Sequence, residues 1–259
     1  MSQSVERALA VLPVLAEGPA GLGAVADALD VHKSTALRLL RTLAEHGYAH
    51  RLPDGRYRLG ARLFTLAAAA LENLDVREIA RPHLLALGAE TGHTVHLALR
   101  QDDEVVYVDK VEARSPVRMW SRIGRPVPVT VAAVAKVLFA DLPEAERVAL
   151  AHRLEYPAYT ARSTPDAESW LRELAEVRDR GWACDLGGHE EAVHCVGAPV
   201  RGGDGRVLAA VSVSAPAALV PGDRLLDLLP SVRRTADLIG RDHSGTAPVD
   251  HPESLEDTP

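Results

Sequence analysis

Apolar positions recur at helical spacing in three stretches of the first fifty residues, and the pattern then changes to short alternating runs. Ser4 can cap a helix that runs to about Glu17, with Leu9, Leu12 and Leu15 among its apolar positions, and Gly18-Pro19 ends it. Pro13 lies inside that span and removes one backbone donor, so a kink or a late start is expected. A short helix from about Gly23 to Leu29 follows, then a tight turn at Asp30-Val31. The third helix starts near His32 and ends at Gly47, a residue suited to a left-handed C-terminal cap. Tyr48–Leu52 and Arg56–Leu59 read as two strands around Pro53-Asp54-Gly55, whose residues favour a turn. Helix-turn-helix followed by a hairpin predicts a winged helix-turn-helix domain over residues 1–60.

Gly60–Asn73 is rich in Ala and Leu without a breaker and predicts a linker helix, assigned to residues 61–75. Its apolar run Leu63–Leu71 exceeds what a solvated linker needs, so a dimer interface is expected there. Beyond Val76 helices and strands mix. Val76–Thr91 reads as a helix, and His93–Arg100 and Glu104–Val111 as strands joined by Gln101-Asp102-Asp103, with Arg114–Trp120 as a third. Helices are expected at Ala132–Ala140, Glu144–Leu154 and Asp166–Arg180, and a hairpin at Val193–Val200 and Arg206–Ser214 around Gly202-Gly203-Asp204-Gly205. A last helix covers about Asp223–Arg241, and residues 242–259, rich in Pro, Asp and Glu, are expected to be a disordered tail. Strand pairs linked by hairpins predict an α+β domain with a largely antiparallel sheet over residues 76–241.

The third helix carries candidate chemistry. At 100° per residue, Ser34, Arg38, Arg41 and Glu45 fall on one stripe, with Lys33, Thr35 and Thr42 beside it, and Ala36, Leu37, Leu40, Leu43 and Ala44 opposite. On an isolated helix this is an ordinary solvated face. After a short helix and a tight turn, short hydroxyls beside long arginines suit a major-groove recognition helix, and Arg51, Arg56 and Arg58 on the wing suit phosphate contacts.

Charge sharpens that reading. The 259 residues carry a net charge of −7, which by itself argues against nucleic acid. Residues 1–62, however, hold eight Lys/Arg against six Asp/Glu, and the rest 21 against 30. A mildly basic head on an acidic body is expected where the head alone meets phosphate. Ten aromatic residues supply a base-stacking surface poorly, which favours duplex over single strands. Two cysteines, Cys184 and Cys195, are too few for a disulfide framework, and no apolar run approaches the roughly 20 residues that span a bilayer. A cytoplasmic protein with no membrane partner is therefore expected.

The motifs, taken in order, are Ser4-Val-Glu-Arg-Ala-Leu, His32-Lys-Ser-Thr-Ala-Leu-Arg through Gly47-Tyr48, and Gly55-Arg-Tyr-Arg-Leu-Gly. The second half adds Val105-Val-Tyr-Val-Asp-Lys-Val, Gly124 with Pro128 and Ala135-Lys136, Arg180-Gly-Trp, Glu190-Glu191 and Cys195-Val-Gly-Ala-Pro-Val. In this order they are specific, and over about residues 4–240 the chain resembles the IclR family of bacterial transcriptional regulators. The resemblance implies a winged helix-turn-helix joined by a helix to a GAF-like effector domain. It also implies a homodimer, or a dimer of dimers, on a palindromic double-stranded operator, and a small, usually acidic effector; some relatives are expected to hold zinc, but no cofactor is expected here. The family's effector pattern falls here on the amides of Ala133 and Val134, then on Asp185, Cys195, Ser212 and Ser214.

Residue chemistry supports that pattern separately. Ser212 and Ser214 stand two apart on one strand face, and amides at a helix N-terminus attract an anion. The plain alternative is a small core cysteine and two solvated serines. Thr130-Val-Ala-Ala-Val-Ala135-Lys136 lacks the family's Gly before the lysine, and this loss with bulkier Val131 and Val134 is expected to narrow the pocket or alter its floor. A carboxylate at Asp185 repels a ligand carboxylate unless one is protonated or Asp185 accepts from a hydroxyl, which favours a hydroxy- or keto-acid over a bare dicarboxylate. No metal site is assigned: His93 and His96 are three apart on a strand and face opposite sides, whereas His189, His194 and Cys195 with Asp185 could supply ligands. No catalytic residue is assigned either, because His194 and Cys195, adjacent on a strand, point apart. The reading from another class is a metabolite-binding protein or enzyme whose N-terminal domain mediates protein contacts.

Overall fold

The computed structural model describes residues 3–72, 75–113 and 121–245. The chain separates into two compact units, Met1–Asn73 and Leu74–Pro259.

The first unit packs three helices, α1 (Gln3–Ala16), α2 (Leu22–Ala28) and α3 (Lys33–Glu45), against a small antiparallel hairpin of β1 (Ala49–Arg51) and β2 (Tyr57–Leu59). Helix α1 starts at Gln3 and continues through Pro13, so the late start expected from the proline does not occur. Pro13 lies on the exposed side, where the carbonyl it leaves without a donor can meet water. The buried anchors of α1 are Val11 and Leu15, whereas Leu9 is 59% exposed. Helix α2 packs Val25 and Ala26 beneath α3, which buries Ala36, Leu39, Leu40 and Leu43. His32 is the N-cap of α3 and lies outside the helix, its ring accepting from the Ser34 amide. Gly47 ends that turn at φ +77°, as its lack of a Cβ allows. A Cβ at Gly60 would collide with the Gly47 carbonyl, so the chain leaving β2 can cross the end of α3 because both positions are glycine. Helix α4 follows at Arg62–Glu72.

The second unit is a five-stranded antiparallel sheet covered on both faces. Its strands are β3 (Thr94–Gln101), β4 (Glu104–Val111), β5 (Ala183–Leu186), β6 (Val193–Arg201) and β7 (Val207–Pro216), in the order β4-β3-β7-β6-β5. On one face α5 (Asp75–Thr91) and α9 (Leu229–Gly245) lay Ala80, Leu84, Leu87, Val232, Ala236 and Ile239 onto Val95, Leu97, Val196, Val211 and Val213. On the other face α6 (Ala133–Ala140) lies on the sheet with α8 (Ala167–Arg180) behind it, and α7 (Glu144–Ala151) packs on α8. This core includes Ala98, Val105, Ala210, Phe139 and Trp170.

Several boundaries differ from expectation. Strand β5 was not read from the sequence, and neither was the bridge that places Pro126 beside Val106 on the edge of the sheet. Helix α7 stops at Ala151, short of Leu154. The last helix is interrupted: a 3-10 turn spans Leu225–Leu228 and α9 begins at Leu229, with Pro230 in the first turn, where a missing N–H costs nothing. Helix α9 then runs to Gly245, into the stretch read as tail. Its end is held by His83 Nε2 on Asp242 at 2.7 Å and Ser244 Oγ donating to the Gly240 carbonyl. The strand expected at Arg114–Trp120 and the rest of the tail, 246–259, lie outside the described residues.

Candidate functional site

The polar face of α3 is built by the packing of its opposite side. With Ala36, Leu39, Leu40 and Leu43 buried, helical geometry sends Lys33, Ser34, Arg38 and Arg41 into water, and Thr35 is half-buried beside them. Ser34 Oγ lies 2.9 Å from His32 Nδ1, and Thr42 Oγ1 turns back to the Arg38 carbonyl at 3.1 Å. Arg38 and Arg41 therefore stand in water on a rigid helix, as base- or phosphate-seeking side chains must. Arg51 on β1 and Arg58 on β2 are exposed on the wing. Arg56 lies in the turn and not in the strand, because its amide and Nε both donate to the Asp54 carboxylate, at 3.0 and 2.8 Å. These two bonds hold the Asp54 carboxyl below its ordinary range, the amide contributing first.

The second candidate lies between α6 and the sheet. A cavity of about 350 Å3 is lined by all six positions assigned to effector binding: Ala133, Val134, Asp185, Cys195, Ser212 and Ser214. Strand register explains the convergence. Asp185 pairs with Cys195 and Cys195 with Ser214, while Ser212 pairs with His96. Paired residues share a face, so four strands send these side chains toward α6. Gly197 on the same face lets α6 come close: a Cβ there would sit 3.3 Å from the Val211 carbonyl oxygen and 3.6 Å from the Ala133 carbonyl carbon.

The helix end facing this floor lacks a side-chain cap. The N-cap of α6 is Ala132, whose methyl offers no acceptor, where Ser, Thr, Asp or Asn would supply one. The first amides of an α-helix have no acceptor within it, and Ala133 and Val134, its first two residues, line this cavity. Val134 is part of the lining as expected, but Val131 is buried outside it, and does not narrow this cavity.

The floor is largely uncharged. Burial pushes the Cys195 thiol up to about 12, so it remains protonated and donates to Ser214 Oγ at 3.0 Å. Burial, seconded by Lys110, lowers His96 to about 3, so its ring is neutral. Asp185 is buried and its carboxyl is raised by desolvation, opposed by the Gly188 amide that donates to Oδ1 at 2.6 Å. The turn carrying that amide is fixed from outside: Thr160 Oγ1 donates to the Gly187 carbonyl and Ser163 Oγ to the Gly188 carbonyl, each at 2.7 Å. An Asp185 that protonates more readily than an ordinary carboxylate is compatible with an acid beside it.

Sequence reasoning missed part of the lining. His96, Tyr107, Ser121, Arg125 and Tyr159 also face the cavity. Tyr107 arrives there through a bulge: Leu97 pairs with Asp109 but Ala98 with Tyr107, which leaves Val108 as the extra residue. The bulge turns Tyr107 onto the His96 face, where their ring centroids lie 4.6 Å apart. No local pattern announces a bulge, but the alternation His96, Ala98 on β3 marks the inward face of that strand. His194 points away from Cys195, with its Nδ1 donating to the Val220 carbonyl at 3.0 Å. Among the described residues no group of three or more His, Cys, Asp or Glu side chains is arranged to hold a metal ion, and no helix is long and apolar enough to cross a membrane.

Comparison with known proteins agrees across both units. Residues 4–53 match the model of the IclR helix-turn-helix domain, and residues 68–241 that of the bacterial transcriptional regulator IclR C-terminal domain. The chain is 38% identical over 215 residues to the HTH-type transcriptional regulator XynR of Escherichia coli (strain K12), covering 82% of this chain and 85% of that protein. It is 32% identical over 235 residues to the HTH-type transcriptional regulator KdgR of the same organism, covering 90% and 89%. The crystal structure of Thermotoga maritima IclR superposes with a TM-score of 0.74 at 29% identity, over 93% of this chain and 98% of that one. A helix-turn-helix unit with an exposed basic face, joined in one chain to an antiparallel effector-type domain, is thus matched in sequence and in fold, and the chain belongs to the IclR family of bacterial transcriptional regulators.

Proposed function

We propose that this regulator binds a palindromic operator as a dimer or dimer of dimers, and that a small hydroxy- or keto-acid in the α6 cavity sets its operator affinity. In this reading residues 1–60 bind DNA, 61–75 link, and 76–241 bind the effector. Lys33, Ser34, Thr35, Arg38 and Arg41 of α3 meet the major groove, and Arg51, Arg56 and Arg58 meet the backbone. Ala133 and Val134 take the carboxylate through their amides, and Ser212, Ser214, Cys195 and Asp185 take the remaining oxygens.

The observation that carries the effector reading is the uncapped N-terminus of α6 opening on a neutral, hydroxyl-bearing floor. Backbone amides attract an anion without a buried cation, and a floor of a thiol, two serines and a neutral imidazole suits hydroxyl or carbonyl oxygens. The dimer reading is supported by α4, where Phe64 is 71% and Leu66 44% exposed: two large apolar side chains on one short helix call for a partner. A two-fold dimer would present two α3 helices to half-sites about one helical turn apart.

Selecting genomic fragments with the full chain, then measuring their binding against salt, tests this directly. The expected result is a two-fold symmetric sequence, with affinity falling steeply and linearly in log salt. Binding to unrelated duplexes as tightly as to the selected one contradicts it.

A further inference from the structure

Ser214 has an unusual set of neighbours. The Cys195 thiol donates into its Oγ at 3.0 Å, which leaves the hydroxyl proton of Ser214 to go elsewhere. The nearest acceptor is His96 Nδ1, 3.4 Å away, long for an O–H···N bond. On the other edge of the ring, His96 Nε2 lies 2.7 Å from Ser121 Oγ. Where the Ser214 hydroxyl donates to Nδ1, the neutral imidazole carries its proton on Nε2 and donates to Ser121. All three bonds then run in one direction, from Cys195 through Ser214 and His96 to Ser121.

Ser121 begins a segment that leads straight to the anion-seeking helix end. The Gly124 amide donates to the Tyr107 carbonyl and the Val127 amide to the Val105 carbonyl, each at 2.8 Å, so the segment runs along the edge of β4. The Ala132 amide then donates to the Pro128 carbonyl, one residue before α6 begins. Lys110 Nζ adds a bond to the Ser121 carbonyl at 2.7 Å. The covalent segment from Ser121 to the α6 amides is thus linked to the floor serine Ser214 through hydrogen bonds at one buried histidine.

We propose that His96, as its Nε2–H tautomer, is the positioning residue of this cavity: it anchors Ser121, and with it the segment leading to the α6 amides, while its Nδ1 acceptor orients the Ser214 hydroxyl. The long Ser214 contact is the part a ligand oxygen would take over, and the short Ser121 bond is the part that keeps the cavity wall in place. The inference rests on the effector reading only for what fills the cavity. The anchoring is a property of the chain itself.

Two readouts on the full chain without ligand test it. Long-range 1H–15N spectra of histidine-labelled protein at pH 7 are expected to show His96 neutral and protonated on Nε2. Hydrogen exchange is expected to show the Gly124 and Val127 amides opening about tenfold faster in Ser121→Ala, the change that loss of one hydrogen bond produces, with amides of β6 unchanged. His96→Phe fills the same space without either nitrogen and should release the same amides, and His96→Gln, which restores a donor toward Ser121, should recover most of the protection. An Nδ1–H tautomer or an imidazolium overturns the proposal. So does exchange at Gly124 and Val127 that Ser121→Ala leaves unchanged, since Lys110 would then be sufficient to hold the segment. Both readouts are independent of any acid screen, so failure here and failure of the effector reading are separate results.

Discussion

The polar face of α3 and the α6 cavity, both proposed to recognise an anionic partner, are built in opposite ways. On α3 the working groups are full charges in water, Arg38 and Arg41, and each is placed by the helix that carries it. In the cavity the floor groups are amides, hydroxyls, a protonated thiol, a neutral imidazole and the Asp185 carboxyl, placed by the register of four strands and a helix end, while the exposed Arg125 also lines the cavity. The difference follows from burial. A guanidinium in solvent keeps its hydration and reaches phosphate through long-range attraction, whereas an unpaired buried cation costs several kcal/mol, so a closed site favours dipoles aimed at the anion. In the proposed reading the first surface recognises a polyanion and gains specificity from a few base contacts, and the second admits one small molecule and gains specificity from shape and hydrogen-bond direction.

Removing charge from α3 is the largest way to break this contrast. The double substitution Arg38→Ala with Arg41→Ala is expected to weaken operator binding by about 2–5 kcal/mol while leaving the fold intact, as read by titration and circular dichroism. In the cavity, Ser212→Ala with Ser214→Ala is expected to weaken acid binding by about 1–3 kcal/mol in calorimetry and to leave ligand-free operator binding unchanged.

The neutral floor also predicts a pH effect with a definite sign. His96 is lowered to about 3 in the folded protein, so between that value and its ordinary 6.5 the unfolded chain binds more protons. Its contribution to stability is therefore fully present above about pH 6.5 and is lost as pH falls. At pH 5 the loss amounts to about 2 kcal/mol relative to pH 7, and urea titrations of His96→Gln should lack that component. Asp185, raised by burial, works in the opposite sense, and its cost to folding fades as acid protonates it. On the wing the effects shrink. Arg58→Ala should reduce the salt slope of all duplexes by about 1 without changing sequence preference. Asp54→Asn, which loosens the hold on Arg56, should produce the smallest change, a slight gain in non-specific binding and no measurable loss of stability.

The same contrast explains what could be read from the sequence. The α3 face is local: thirteen residues at 100° steps determine which side is polar, and the exposed arginines stand where that arithmetic puts them. The wing is also local, apart from Arg56, whose capture by Asp54 depends on turn geometry. The cavity is assembled at long range. Ser212 and Ser214 could be seen to share a face, and the resemblance supplied Asp185 and Cys195. The bulge at Val108 that brings in Tyr107, strand β5 with four residues, and the edge segment that brings in Ser121 depend on pairings between distant residues. His96 was set aside as half of a poor metal pair. The missing signal was its cross-strand partner: beyond the alternation His96, Ala98, the register His96–Ser212 shows which floor it belongs to.

The proposed switch makes occupancy of the α6 cavity set DNA affinity. Its decisive test is operator binding by the full chain across a panel of hydroxy- and keto-acids, run in parallel on the parent and on Ser212→Ala with Ser214→Ala. One acid is expected to shift the parent's affinity by about 5- to 150-fold, the range of ordinary allosteric coupling, and to leave the double variant's affinity unchanged. An acid that shifts the operator affinity of both proteins equally would contradict it.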